Sequence, residues 1–288
     1  MMETKKMERK RLLFFGILVI GILISAYLFL IPHSKDVDNK IVVVVTIPPQ
    51  AEFVEKIGGN RVKVVIMIPP DANPHTYEPT PFQLREVSKA KLYAKVGSGI
   101  EFELSWMDKI LSVNKKMLVV DCSKGIEIID NDPHIWLSPK NAKIMVENIF
   151  QGLVEVDPSN KEYYARNKEK YLEELDELDK DIARILSKKK NKKIIVYHPA
   201  WTYFARDYGL EQIAIEKEGK EPTPQGIASL IKQAKENNIT LIFASPQSNP
   251  KIAQVIAEEI NGKVIMVDPL KKDYLQNMRK VAEAFASD

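Results

Sequence analysis

From Pro158 to Ser187 the chain runs without a glycine or a second proline. Within that run Tyr164, Tyr171, Leu175, Leu178, Ile182 and Ile185 recur at three-, four- and seven-residue steps, which traces one apolar stripe along an α-helix. Asp157 and Pro158 give a start signal, with Ser159 as the expected polar cap. The other faces mix Glu and Lys densely. About 30 residues at 1.5 Å each make a rod of roughly 45 Å, longer than most domain helices. A solvated surface helix or a short coiled-coil arm would share this pattern. Its place between two α/β-patterned halves favours a spine, a linking helix over residues 158–188.

Both halves use the same grammar. Before the spine, strand-like runs fall at 41–46, 62–68, 91–96 and 117–121. After it they fall at 193–197, 212–215, 240–244 and 263–267, with helices expected at 201–208, 224–238, 250–261 and 272–286. Continuous Val/Ile runs alternating with helices predict parallel sheets covered on both faces. The expected fold is α/β: two lobes, residues 41–157 and 189–288, joined by one long rigid helix. No sequence repeat connects the lobes.

The first 40 residues read differently. Residues 1–11 are a basic segment, and Leu12 to Ile31 is an uncharged apolar run long enough to cross a bilayer as a helix. The run is longer than a usual signal-peptide core and no A-x-A site follows it. The expectation is therefore an uncleaved transmembrane helix with Met1 in the cytoplasm and the lobes outside. Residues 32–40 form a polar linker in which His33 is expected to be solvated. The formal charge of +3 resides in residues 1–11, so the rest is neutral and nucleic acid is not expected as a partner. The single cysteine, Cys122, excludes an intrachain disulfide and a cysteine-cluster metal site. It reads as a small buried filler.

Three of the four histidines share a setting: Pro74-His75, Pro133-His134 and His198-Pro199. Proline stiffens the backbone that presents each ring. His198 directly follows the strand at 193–197, and Asp268 the strand at 263–267. His75 lies in the loop after 62–68, and His134 shortly after the fourth strand. Open α/β sheets bind ligands at the carboxyl ends of their strands, so these four side chains are expected at the binding edge, two from each lobe. Three imidazoles and a carboxylate suit tetrahedral zinc and accept manganese. Trp136 and Trp201 lie near candidate ligands and are read as packing residues that also exclude water.

The segments PHTYEPTPFQL (74–84), DPHIWLSPKNAK (132–143), DPSNKEYYARN (157–167), YHPAWTYFA (197–205), EPTPQGIASLI (221–231) and VDPLKKDYLQNMR (267–279) occur in that order. Together they resemble the cluster A-I, zinc/manganese-type solute-binding proteins of ABC transporters. The resemblance implies two α/β lobes on a single long helix with the metal between them. It implies ligands at His75, His134, His198 and Asp268, and an ABC permease with its ATPase as partner. A histidine at the third position resembles the zinc-preferring branch, and a glutamate there the manganese branch. Ser245 stands in a segment that commonly carries an acid in that family, and Ser138 where Asp is frequent. The His/Asp-rich loop of many zinc members is missing.

The resemblance implies capture rather than catalysis. The alternatives are a membrane-anchored zinc-dependent hydrolase, a manganese-binding member of the same family, or an anchored adhesin whose metal is structural. A hydrolase needs an open coordination position and a base, and Glu78 is the acid near a candidate ligand that invites that role. If imidazoles hold the ion, affinity should fall as pH drops from 8 to 5, because protons compete for the ligand nitrogens. Zinc titration across that range checks it, and an unchanged affinity would exclude the three-imidazole site.

Overall fold

The structure, a computed structural model, describes residues 40–217, 219–248 and 250–287. Segments 1–11, 12–31 and 32–39, with His33, lie outside the described residues. No helix among the described residues is long and apolar enough to cross a membrane.

The first lobe carries strands β1 (Ile41–Val45), β2 (Val62–Ile66), β3 (Leu92–Lys95) and β4 (Leu118–Asp121), in the order β2-β1-β3-β4. All three pairings are parallel, as the Val/Ile runs imply. Helices α1 (Pro48–Gly58), α2 (Pro81–Val87), α3 (Glu101–Val113) and α4 (Pro139–Val156) connect and cover them. The second lobe repeats the plan with β5 (Lys193–Val196), β6 (Glu211–Ala214), β7 (Leu241–Ala244) and β8 (Lys263–Met266), again parallel, in the order β6-β5-β7-β8. Between them lies the linking helix α5 (Lys161–Ser187). Helices α6 (Thr202–Tyr208), α7 (Pro224–Glu236), α8 (Pro250–Glu259) and α9 (Tyr274–Ala286) complete the chain.

The spine begins differently from the expectation. Pro158–Asn160 form a single 3₁₀ turn, and the α-helix proper starts at Lys161. Ser159 is not its cap. Asp157 organises the entry instead, accepting from Ser159, Asn160 and Tyr164 at 2.8, 2.7 and 2.7 Å. At the other end the buried stripe closes on Leu186 rather than Ile185, which is half-buried. At 3.6 residues per turn a four-residue step stays closer to the face of Ile182 than a three-residue step, so Leu186 takes the buried place.

That face is buried by α1, α4 and α9, and its polar flanks tie it to both lobes. Asn167 donates to the Ile57 carbonyl at 2.9 Å, and Tyr171 to Glu52 at 2.8 Å. Toward the second lobe, Asp179 accepts from Tyr208 at 2.7 Å and Asp181 pairs with Arg279 at 3.1 Å. Gly59, at φ 53°, ends α1 where an added Cβ would run into the Tyr163 hydroxyl of the spine; only glycine meets both demands.

The lobes also touch directly, so the long helix is not their sole link. Trp136 donates to the Pro269 carbonyl at 2.8 Å, and the Tyr274 hydroxyl to the Trp136 carbonyl at 2.7 Å. The Glu52 carboxylate, besides holding Tyr171, accepts from the Tyr274 amide at 2.6 Å. Burial pushes the Glu52 carboxyl above the usual range, and these donors only partly offset the shift. One continuous apolar core therefore runs from β1 through the spine to Phe204, Phe243 and Phe285. A second core, built around Ile195, Ile242 and Ile256, fills the other side of the second sheet.

Cys122 is fully buried, with the Gln50 amide 3.5 Å from its sulfur. Burial pushes its thiol far up, as a filler requires. Ser138 caps α4 by accepting from the Asn141 amide at 3.1 Å and donates to Asp207, so its role is structural. Leu178 sits fully buried in the shared core. Leu178→Ala should cost about 2–5 kcal/mol, and urea unfolding should show probes in the two lobes shifting together.

Candidate metal centre

Each candidate imidazole is held by its own carboxylate. His75 sits in the loop after β2, where Asn73 accepts its backbone amide at 2.9 Å. Its Nδ1 lies 3.0 Å from Glu101, the first residue of α3. His134 follows Asp132-Pro133, and one Asp132 oxygen takes both its backbone amide at 2.9 Å and its Nδ1 at 2.6 Å. His198 leaves the end of β5 and places Nδ1 3.0 Å from Glu216, just beyond β6.

A carboxylate accepts only, so each Nδ1 carries a proton, and a ring in its neutral form presents its Nε2 lone pair. The Asp132 carboxyl is raised by burial, but its hydrogen bond and charge contact with His134 outweigh this and hold it below the usual range. Burial first, and the neighbouring His134 next, push His198 below the usual histidine range, which favours its neutral ring. The Nε2 atoms of His134 and His198 then face each other at 3.3 Å. Two lone pairs at that distance repel unless a cation lies between them. Zinc–nitrogen bonds of about 2.0–2.1 Å in a tetrahedron put two ligand nitrogens about 3.3–3.4 Å apart. The His75 ring lies 5.3 Å from that of His198, and the His134 ring 5.0 Å from it.

The three rings line one cavity of about 350 Å³ at the carboxyl edges of both sheets, with Glu101, Trp136, Glu216 and Ser245 in its walls. Their side chains differ in exposure, 35% for His75, 12% for His134 and 21% for His198, so the mouth opens on the His75 side. Asp268 follows β8 as expected, but it does not line this cavity. It borders an adjoining pocket of about 250 Å³. Its Oδ1 accepts from the Leu270 amide at 2.9 Å and from Gln247 at 3.3 Å. Among the described residues no three His, Cys, Asp or Glu side chains stand together at metal-holding distances.

The sequence of the family described as zinc-uptake complex component A, periplasmic, matches residues 43–288. The chain belongs to this family. A crystal structure of ZnuA superposes with a TM-score of 0.84 at 42% identity, covering 86% of this chain and 98% of that one. A ZnuA deletion mutant with zinc bound gives 0.82 at 42% identity, over 86% and 97%. The high-affinity zinc uptake system protein ZnuA of Bacillus subtilis is 31% identical over 254 residues, 81% of this chain and 79% of that protein. The family's description makes its members periplasmic components of zinc uptake.

Neighbourhood in sequence misled on the acids. Glu78 is exposed, and the acid that reaches His75 is Glu101. Asp132 was visible inside the Asp-Pro-His segment. Glu216 and Glu101 lie far from their histidines in the chain and carry no motif. Trp136 lines the cavity with its ring 5.3 Å from that of His134, combining packing with exclusion of water. Trp201 is packing alone, edge-on to Phe204 and Phe285. In the metal-free protein, at a pH where both rings are neutral, nitrogen NMR should find His134 and His198 as Nδ1–H tautomers. Asp132→Asn should remove that preference at His134 and leave His198 unchanged.

Proposed function

We propose that this chain captures a divalent transition metal, zinc in the first place, in the inter-lobe cavity and delivers it to an ABC permease with its ATPase. The ligands in this reading are His75, His134, His198 and Asp268. The observation that carries it is the pair of facing Nε2 atoms 3.3 Å apart, each on a ring whose Nδ1 a carboxylate occupies. His75 lines the same cavity at its mouth. Asp268 needs a movement of its loop to join them, and a closure around the ion would supply it. The shared core argues for a small adjustment rather than a wide hinge swing, because separating the lobes would expose Trp136, Tyr274 and Phe285.

Nitrogen-rich ligation favours zinc over manganese, which binds more weakly to the same donors. The similarity to ZnuA points the same way. The apolar run at 12–31, behind a basic segment at 1–11, supports a single-pass membrane anchor with the linker 32–40 leading to the lobes outside.

Zinc titration of the full-length chain should give one ion per chain. Replacing His75, His134 or His198 by alanine should each weaken binding on the order of 100-fold or more, since ligand loss exceeds the 10–100-fold typical of outer partners. Asp268→Ala should also weaken it. Equimolar manganese should fail to displace zinc. Full affinity in the His134→Ala and His198→Ala variants would overturn the site.

A further inference from the structure

Gln247 occupies a place that nothing above accounts for. It lies just beyond β7, in a turn that Ser245 and Ser248 clamp twice. The Ser248 amide donates to the Ser245 carbonyl at 3.0 Å, and the two hydroxyls meet at 2.7 Å. From this rigid turn the Gln247 amide nitrogen makes two hydrogen bonds. One goes to the Pro70 carbonyl at 2.9 Å, in the first lobe, five residues before His75. The other goes to Oδ1 of Asp268 at 3.3 Å, in the second lobe.

Both partners are acceptors, so the amide must present nitrogen to them and cannot be flipped. The orientation leaves its Oε1 buried without a hydrogen-bond partner among the described residues. The bridge stands at the wall of the cavity.

We infer that Gln247 is a positioning residue that ties the His75 loop to Asp268 and thereby sets how long the ion stays. This rests on the metal-capture reading above. His75 is the most exposed of the three rings, so the ion leaves on its side, by parting the His75 loop from the second lobe. The Gln247 amide spans that opening. One of its hydrogens restrains the loop; the other fixes the one candidate ligand that lies outside the cavity. Breaking the bridge frees the loop, which speeds passage of the ion through that opening in both directions.

The test compares the wild-type full-length chain with Gln247→Ala and Gln247→Leu, each loaded with zinc and mixed with excess EDTA. Zinc release should quicken about tenfold in both variants, the worth of one to two hydrogen bonds. Zinc association, which uses the same opening, should quicken by a similar factor, while the unfolding midpoint of the metal-free chain should stay as in wild type, a split that a merely structural role would not produce. In an Asp268→Asn background the Gln247→Ala effect should shrink, because the two act as a unit. Release at the wild-type rate in both variants overturns the tie, as does faster release matched by a lowered metal-free midpoint. A wild-type chain that binds zinc while Gln247→Ala changes nothing leaves capture standing and removes only the tie. A wild-type chain that takes no zinc overturns both.

Discussion

The geometry of the site depends on one buried stripe. Tyr164, Tyr171, Leu175, Leu178, Ile182 and Leu186 bury one face of the linking helix in a core that both lobes share. Because the stripe is stiff and its flanks are tied on both sides, the separation of the two sheets is fixed to within side-chain adjustments. A pair of strands in the same place would bend. Here a change in that separation would pull Trp136 from Pro269 and Tyr274 from Glu52, exposing apolar surface at each step. Imidazoles from opposite lobes can meet at 3.3 Å only because the frame behind them does not give.

On that frame the electrostatics are arranged from the outside inward. Glu101, Asp132 and Glu216 form an outer ring of negative charge, each spending an oxygen on an Nδ1. On the inner side the Nε2 atoms of His134 and His198 face each other, and the His75 ring lines the same cavity. A doubly charged ion entering such a place exchanges its water for nitrogen donors, and the nearby carboxylates offset the cost of leaving bulk solvent. Orienting the rings before the ion arrives also reduces the entropy lost on binding.

The second sheet faces two cores. One side belongs to the shared interior; the other, with α7 and α8, packs separately around Ile195, Ile242 and Ile256. Glu216 and the turn of Gln247 both leave the carboxyl edge of this sheet, between the rigid frame and the more independent outer layer. Site residues at that edge are therefore placed by the frame yet hang on loops able to move by the small amounts that capture and release require.

Much of this protein was determined by its sequence alone. Strand runs at 41–45 and 193–196, the parallel pairing and the long helix follow from local periodicity and burial, which depend on residues a few positions apart. His198 was legible because a strand end fixes where a side chain emerges; His75 and His134 lie in the loops that follow β2 and β4, on the same edge. The tertiary structure alone decided what those histidines meet. Glu101 rather than Glu78 reaches His75, Glu216 holds His198, and Asp268 turns toward Leu270 and Gln247 instead of the cavity. Apart from the Leu270 bond, each joins segments well separated in the chain, brought together by the packing within one lobe. A side chain's direction there depends on packing over the whole core, and no local pattern in the chain encodes it.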